Sequence, residues 1–198
     1  MAGVKTMTET TLQTPLSEAT VRGLHAGDGV RLCGRVYTGR DRLHKFLAEG
    51  GACPVALQDG VLFHCGPVVV PEDGGWRVVA AGPTTSMREE PYMAALIERF
   101  GVRAIIGKGG MGAKTRAACV RFGCVYLQAV GGAAALLAQR VRRVDGVSFL
   151  EEFGATEAMW HFEANGIETV VGIDSRGRSL FDEVREASGG VLEKLLRV

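Results

Sequence analysis

Paired cysteines, an excess of one charge and an unbroken apolar run are all missing from this sequence, and each absence excludes something. The five cysteines (Cys33, Cys53, Cys65, Cys119, Cys124) are odd in number and form no Cys-x-x-Cys pair. That argues against a disulfide framework and for free thiols in a reducing, cytoplasmic setting. Lys+Arg 23 against Asp+Glu 22 leaves a net charge of +1 with the signs interspersed, so the field that holds nucleic acid is not built. The longest uncharged run, Phe122 to Gln139, is broken by Gln128 and Gly131-Gly132. It reads as a strand leading into a helix, not as a membrane span. Met1 to Gln13 is polar and Thr-rich and lacks the apolar centre of a signal peptide. Residues 1–13 are expected to be a flexible segment and 14–198 a single domain.

Glycine is in excess: 28 residues, roughly twice the average share of about 7%. It is not periodic, so it marks tight turns and close backbone approaches. The 46% hydrophobic and 23% charged composition is that of a globule, and no internal repeat is present. Leu16 to Leu24 is predicted as a short helix, and Val30 to Tyr37 as a strand exposed on one face. A polar break, Thr38 to Asp41, precedes a short helix with His44 and Lys45. Val61–Phe63, Val68–Val70 and Trp76–Ala81 are further strands. Beyond Glu89 the pattern alternates: helix Pro91 to Phe100, strand Val102–Ile106, helix Ala113 to Phe122, strand Val125–Leu127, helix Ala133 to Val141. Ile167 to Ile173 is a last strand before a C-terminal helix. A β-rich first part followed by strand–helix repeats predicts a layered, mixed α/β domain.

Three strand-end turns carry cations beside glycines or hydroxyls. Gly107-Lys-Gly-Gly-Met-Gly112 matches G-x-G-x-x-G, but the acidic residue expected about 20 positions on is absent. The P-loop pattern fails because Ala113 and Lys108 stand where glycines are needed. Lys108 beside free helix N–H groups is nevertheless a seat for a small carboxylate or phosphate. In Gly82-Pro-Thr-Thr-Ser-Met-Arg88, any of Thr84, Thr85 and Ser86 also suits a plain N-cap. Arg40, in Thr38-Gly-Arg-Asp41, also suits a surface ion pair. Together Arg40, Arg88 and Lys108 are a natural grip for a dicarboxylate. His25, His64 and His161 show no metal-ligand spacing.

These turns, with His44-Lys45, Phe63-His-Cys-Gly-Pro67 and Val130-Gly-Gly-Ala-Ala-Ala135, closely resemble one family from about Thr14 to Phe181. It is the C-terminal domain, or separate β subunit, of class I iron–sulfur fumarate hydratase and L-tartrate dehydratase. The resemblance implies a swivelling β/β/α domain. It also implies reversible addition of water to fumarate to give L-malate, or the matching elimination on tartrate. A 4Fe–4S cluster with one open iron acting as Lewis acid is implied in the partner α subunit, within an α2β2 assembly, and this chain would carry no cofactor or metal ligand. Residue by residue, Thr84 corresponds to the proposed base, and Arg40, Arg88 and Lys108 to the cations on the two carboxylates. Removing a proton beside a carboxylate builds charge there, so fixed cations favour the transition state. The acid would come from the partner. Asp41 and His44 could orient Arg40, or serve only in capping and ion pairing. Glu89 after Arg88 and Arg42-Leu43 before His44 depart from the family pattern and bear on substrate choice. A non-catalytic small-acid or nucleotide-binding module at the Gly107 turn is the remaining alternative.

Overall fold

A computed structural model describes residues 9–196 of the chain. Its elements are β1 (Glu9–Gln13), α1 (Glu18–Gly23), β2 (Gly29–Gly39), α2 (Asp41–Ala48), β3 (Val61–His64), β4 (Val68–Glu72) and β5 (Gly75–Ala80). A 3-10 turn over Ser86–Glu89 leads into α3 (Glu90–Phe100), β6 (Ala104–Gly107), α4 (Ala113–Phe122), β7 (Val125–Gln128) and α5 (Ala134–Ala138). The chain closes with β8 (Val141–Ser148), α6 (Leu150–Phe153), β9 (Met159–Ile173) and α7 (Leu180–Leu196). This is a mixed α/β fold, as the alternation predicts.

The main sheet runs β1-β2-β3-β6-β7-β9-β8, and an additional β2–β9 pairing joins it back on itself. Strands β2, β3, β6 and β7 are mutually parallel, while β9 returns antiparallel between β7 and β2. The ring leaves β1 and β8 as flanking strands, and β4 and β5 form a separate hairpin. The three short parallel strands β3, β6 and β7 are buried on both faces, and their side chains divide by parity. Val61, Phe63, Ala104, Ile106, Val125 and Leu127 enter one core with Trp160 and Phe162. Leu62, Ile105 and Tyr126 enter a second core with Leu43, Leu47, Met93, Leu96 and Ile97 of α2 and α3.

Three elements differ from the sequence reading. Glu9–Gln13 is not a flexible segment but a strand in parallel register with β2, from Glu9↔Gly29 to Gln13↔Cys33. Leu12 is its one buried residue, too little apolar signal to show in composition; residues 1–8 of that expected segment lie outside the described residues. The helix expected to reach Val141 stops at Ala138, and β-branched Val141, Val144 and Val147 form β8 instead. The last strand begins at Met159, eight residues early, because β8 and β2 pair with the two edges of its first half. Ser17 caps α1, its hydroxyl accepting from the Thr20 amide at 3.1 Å, in line with the start signal at Ser17-Glu18.

Candidate active site

The chain leaves β2, β3, β6 and β7 at the same end of the sheet, where open parallel sheets place their ligand sites. Arg40 follows β2, Cys65-Gly66 follows β3, and Lys108 follows β6. The Pro83–Arg88 segment is laid across these ends by backbone bonds. Pro83 bridges Cys65, and Thr85 bridges Lys108. The Thr84 amide donates to the His64 carbonyl at 2.7 Å, and the Lys108 amide donates to the Thr84 carbonyl at 3.3 Å. Thr84, Lys108, Arg40 and Arg88 therefore stand on one shelf.

Thr84 is half-buried, and its hydroxyl has no hydrogen-bond partner among the described residues. Thr85 is the N-cap of the 3-10 turn but makes no side-chain capping bond, so the plain-cap reading is not realised there. Lys108 makes no ion pair among the described residues, and its stem lies along Gly131, where a Cβ would come 3.4 Å from Lys108 Cδ. Arg88 is half-exposed and clasps Asp41 with both Nε, at 3.1 Å, and NH2. Arg40 is only 20% exposed. Its guanidinium packs so close to Gly66 that a Cβ there would come 2.7 Å from NH1.

Asp41 thus spends its carboxylate chiefly on Arg88, reaching Arg40 NH2 only at 3.9 Å. His44 pairs with Glu89 and not with Arg40, its Nδ1 donating to the Glu89 carboxylate at 2.8 Å, with both side chains fully buried. Glu89 is therefore the brace that ties the helix after Arg40 to the turn that carries Arg88.

Beneath the shelf is a second buried group that the sequence reading missed. Tyr126 donates to Ser86 Oγ at 3.0 Å, and Ser86 Oγ lies 2.9 Å from His64 Nδ1. Burial, helped by the neighbouring His44, holds His64 well below the ordinary histidine range, so it is neutral. The pattern that satisfies each donor sends the Ser86 proton to His64 Nδ1 and leaves His64 Nε2–H facing Met93 Sδ at 3.3 Å. Burial pushes the Tyr126 hydroxyl up to about 12 against the Ser86 bond. All three groups converge on Gly107, where a Cβ would stand 1.8 Å from Ser86 Oγ.

The glycine-cluster helix does not offer its N-terminus to a ligand. Glu90 fills that seat, accepting from the amides of Gly112 at 2.8 Å, Lys114 at 3.0 Å and Thr115 at 3.3 Å, and from the Thr115 hydroxyl at 2.6 Å. The Gly109 amide donates to Gln128 Oε1 at 3.1 Å. An internal carboxylate thus occupies the place a phosphate would take, and the nucleotide-binding alternative loses its anion site.

Among the described residues, no group of three His, Cys, Asp or Glu could hold a metal ion. The cysteines do not fit a cluster. Cys65, Cys119 and Cys124 are buried, and burial pushes the Cys65 thiol up to about 12 although the Arg40 charge opposes it. Burial also drives Cys124 well above the ordinary thiol value. His25 is exposed beside Asp28, and half-buried His161 lies 3.1 Å from Ser148 Oγ. No described helix is long and apolar enough to cross a membrane.

The fold and shelf define a class: an α/β domain whose parallel strands end in turns that carry Arg40, Lys108 and, on the segment laid across them, Thr84 and Arg88. Residues 2–184 match the family described as Fumarase C-terminus, and the chain belongs to that family. A Geobacillus stearothermophilus protein with the provisional name fumarate hydratase class I is 50% identical over 93% of this chain, which spans 35% of that protein. A Methanocaldococcus jannaschii protein, provisionally named L(+)-tartrate dehydratase subunit beta, is 39% identical over 91% of this chain and 93% of its own length. The Escherichia coli (strain K12) L(+)-tartrate dehydratase subunit beta is 34% identical over 87% and 86% of the two chains.

Proposed function

We propose that this chain is the β subunit of a two-subunit class I fumarate hydratase, a hydro-lyase that interconverts fumarate and L-malate at an interface with an α subunit. One observation carries the reading: the unbonded Thr84 hydroxyl shares a shelf with Arg40, Arg88 and Lys108, in a chain half-identical to a relative bearing the fumarate hydratase name. Thr84 takes the proton from malate carbon 3. Arg40, Arg88 and Lys108 hold the two carboxylates and stabilise the charge that the lost proton leaves behind. Two of these cations, Arg40 and Arg88, face the acidic side chains of Asp41 and Glu157, while Lys108 makes no ion pair among the described residues, so the shelf keeps a positive excess for a doubly charged acid. A threonine hydroxyl is a weak base until another group activates it, and no carboxylate or imidazole touches Thr84 among the described residues. The activating group and the general acid belong to the α subunit in this proposal, as does the 4Fe–4S cluster, which the cysteines here do not fit.

The proposal extends to a single swivelling β/β/α domain that takes in β1 ahead of residues 14–198, an α2β2 assembly, and a cytoplasmic location supported by five free cysteines. A second reading, the β subunit of L-tartrate dehydratase, is supported by two relatives bearing that name, one of them provisionally, at 39% and 34% identity. The test is an anaerobic assay of this chain co-expressed with a cluster-bearing α subunit on fumarate, L-malate and L-tartrate. Turnover of fumarate and malate only with both chains present supports the first reading. Turnover of tartrate alone replaces the substrate, and an intact complex inert to all three overturns the hydro-lyase assignment.

A further inference from the structure

Arg40 is held unlike the other two cations of the shelf. Its Nε is buried and has no hydrogen-bond partner. The carboxylate facing that atom is Glu157, whose Oε1 lies 3.6 Å away, while NH2 faces Asp41 at 3.9 Å. The other Glu157 oxygen, Oε2, accepts from the Arg42 amide at 2.9 Å, in the first turn of α2, two residues beyond Arg40 itself. One side chain therefore fixes both the guanidinium and the backbone that carries it.

Glu157 is well placed to be a rigid support. The Glu157 and Ala158 amides both donate to the Gly154 carbonyl, at 3.1 and 2.9 Å, closing a tight turn. Trp160 Nε1 donates to the Ala155 carbonyl at 2.8 Å, and the Thr38 hydroxyl donates to the Ala158 carbonyl at 3.3 Å. Thr38 is two residues before Arg40, so the turn is anchored to the same strand end that it braces. Thr156 Cγ2 adds a wall, standing within 2.7 Å of a Cβ placed on Gly66, beside the Arg40 guanidinium. Arg40 and Glu157 are 20% and 21% exposed, so their attraction is screened less than that of a surface pair.

We infer that Glu157 is a positioning residue for Arg40, holding its guanidinium in the orientation that receives a substrate carboxylate before substrate arrives. The inference rests on the proposed role of Arg40 as a carboxylate grip. A long arginine left to wander would have to be ordered on binding, which weakens affinity for substrate and transition state together and shows in KM more than in kcat.

Glu157→Gln is the informative change, because the amide oxygen still accepts from the Arg42 amide while the charge facing Arg40 is lost. In the reconstituted complex it should raise KM for the dicarboxylate about tenfold and leave kcat within about threefold. In an Arg40→Ala background the same change should add nothing, since its effect runs through Arg40. An unchanged KM, or a second tenfold rise in that background, overturns the inference. A wild-type complex inert to every acid would fault the proposed function instead. The Arg40 Nε–H nitrogen-15 NMR signal of the full chain, assigned by its loss in Arg40→Lys, then decides the matter: a shift in Glu157→Gln supports the contact, and an unmoved signal overturns it.

Discussion

Gly107→Ala puts the buried arrangement under the shelf to a quantitative test. The new methyl carbon would lie 1.8 Å from Ser86 Oγ, 3.1 Å from the Tyr126 hydroxyl and 3.2 Å from His64 Nδ1. A contact of 1.8 Å cannot be absorbed by small shifts, so Ser86 must move and both of its side-chain bonds break. Overpacking of a tight core costs about 1–3 kcal/mol, and each buried polar group left unpaired costs about 1–3 kcal/mol more. With Tyr126 and His64 both stranded, the expected loss is about 3–9 kcal/mol, or roughly 6–36 °C in Tm for a chain of this size. Urea or thermal unfolding of the full chain reads it directly. Ser86→Ala alone also strands Tyr126 and His64, at about 2–6 kcal/mol. The double variant should be less damaged than the sum, because the alanine methyl at 107 then fills the space that Oγ leaves; a coupling of at least about 1 kcal/mol is expected. Unchanged stability in Gly107→Ala, or strict additivity in the pair, would refute the convergence on Gly107.

Other consequences follow from the same contacts. His64 is neutral in the fold because burial depresses its pKa, so its contribution is fully present above the unfolded value near 6.5 and is lost as pH falls below it. Unfolding free energy should fall more steeply between about pH 6.5 and 5 in the wild-type chain than in His64→Asn; parallel pH profiles would contradict this. Glu90→Ala removes the acceptor of three amides and one hydroxyl at the start of α4 and should cost about 2–4 kcal/mol. It should also open the helix N-terminus to millimolar inorganic phosphate in calorimetry, while the wild-type chain gives no binding heat with phosphate or ATP. Binding of ATP by the wild-type chain would revive the nucleotide-binding alternative.

The parts of the fold that were legible were those with strong periodicity and clear punctuation. The helix predicted over Ala113 to Phe122 has those bounds in the structure, between Gly112 and Gly123. The short parallel strands β3, β6 and β7 showed as apolar runs before polar turns. Strand β8 was hidden because Arg142, Arg143 and Asp145 interrupt its valines, and the first half of β9 because Glu163, Asn165 and Gly166 break its apolar pattern. The first half of β9 takes its form from β2, far upstream in the chain, and β8 in turn from β9, pairings that local pattern does not record. At the shelf, Arg40, Thr84, Arg88 and Lys108 were visible because cations and hydroxyls beside glycines stand out at strand ends. Their supports were not visible. Ser86 lies 22 residues from His64 and 40 from Tyr126, and Glu157 lies 115 from its Arg42 amide. Glu90 reaches the glycine-cluster helix from upstream, whereas the motif directs attention downstream.

The most direct test of the account is the turnover of the reconstituted two-subunit complex carrying Thr84→Val, which keeps the side-chain shape and removes only the hydroxyl. If this chain supplies half of the catalytic site, kcat should fall by about a thousandfold or more while the complex still assembles and its cluster remains intact. Near-normal turnover on the substrate that the wild-type complex uses would show that Thr84 is not the base, and that the chemistry lies elsewhere.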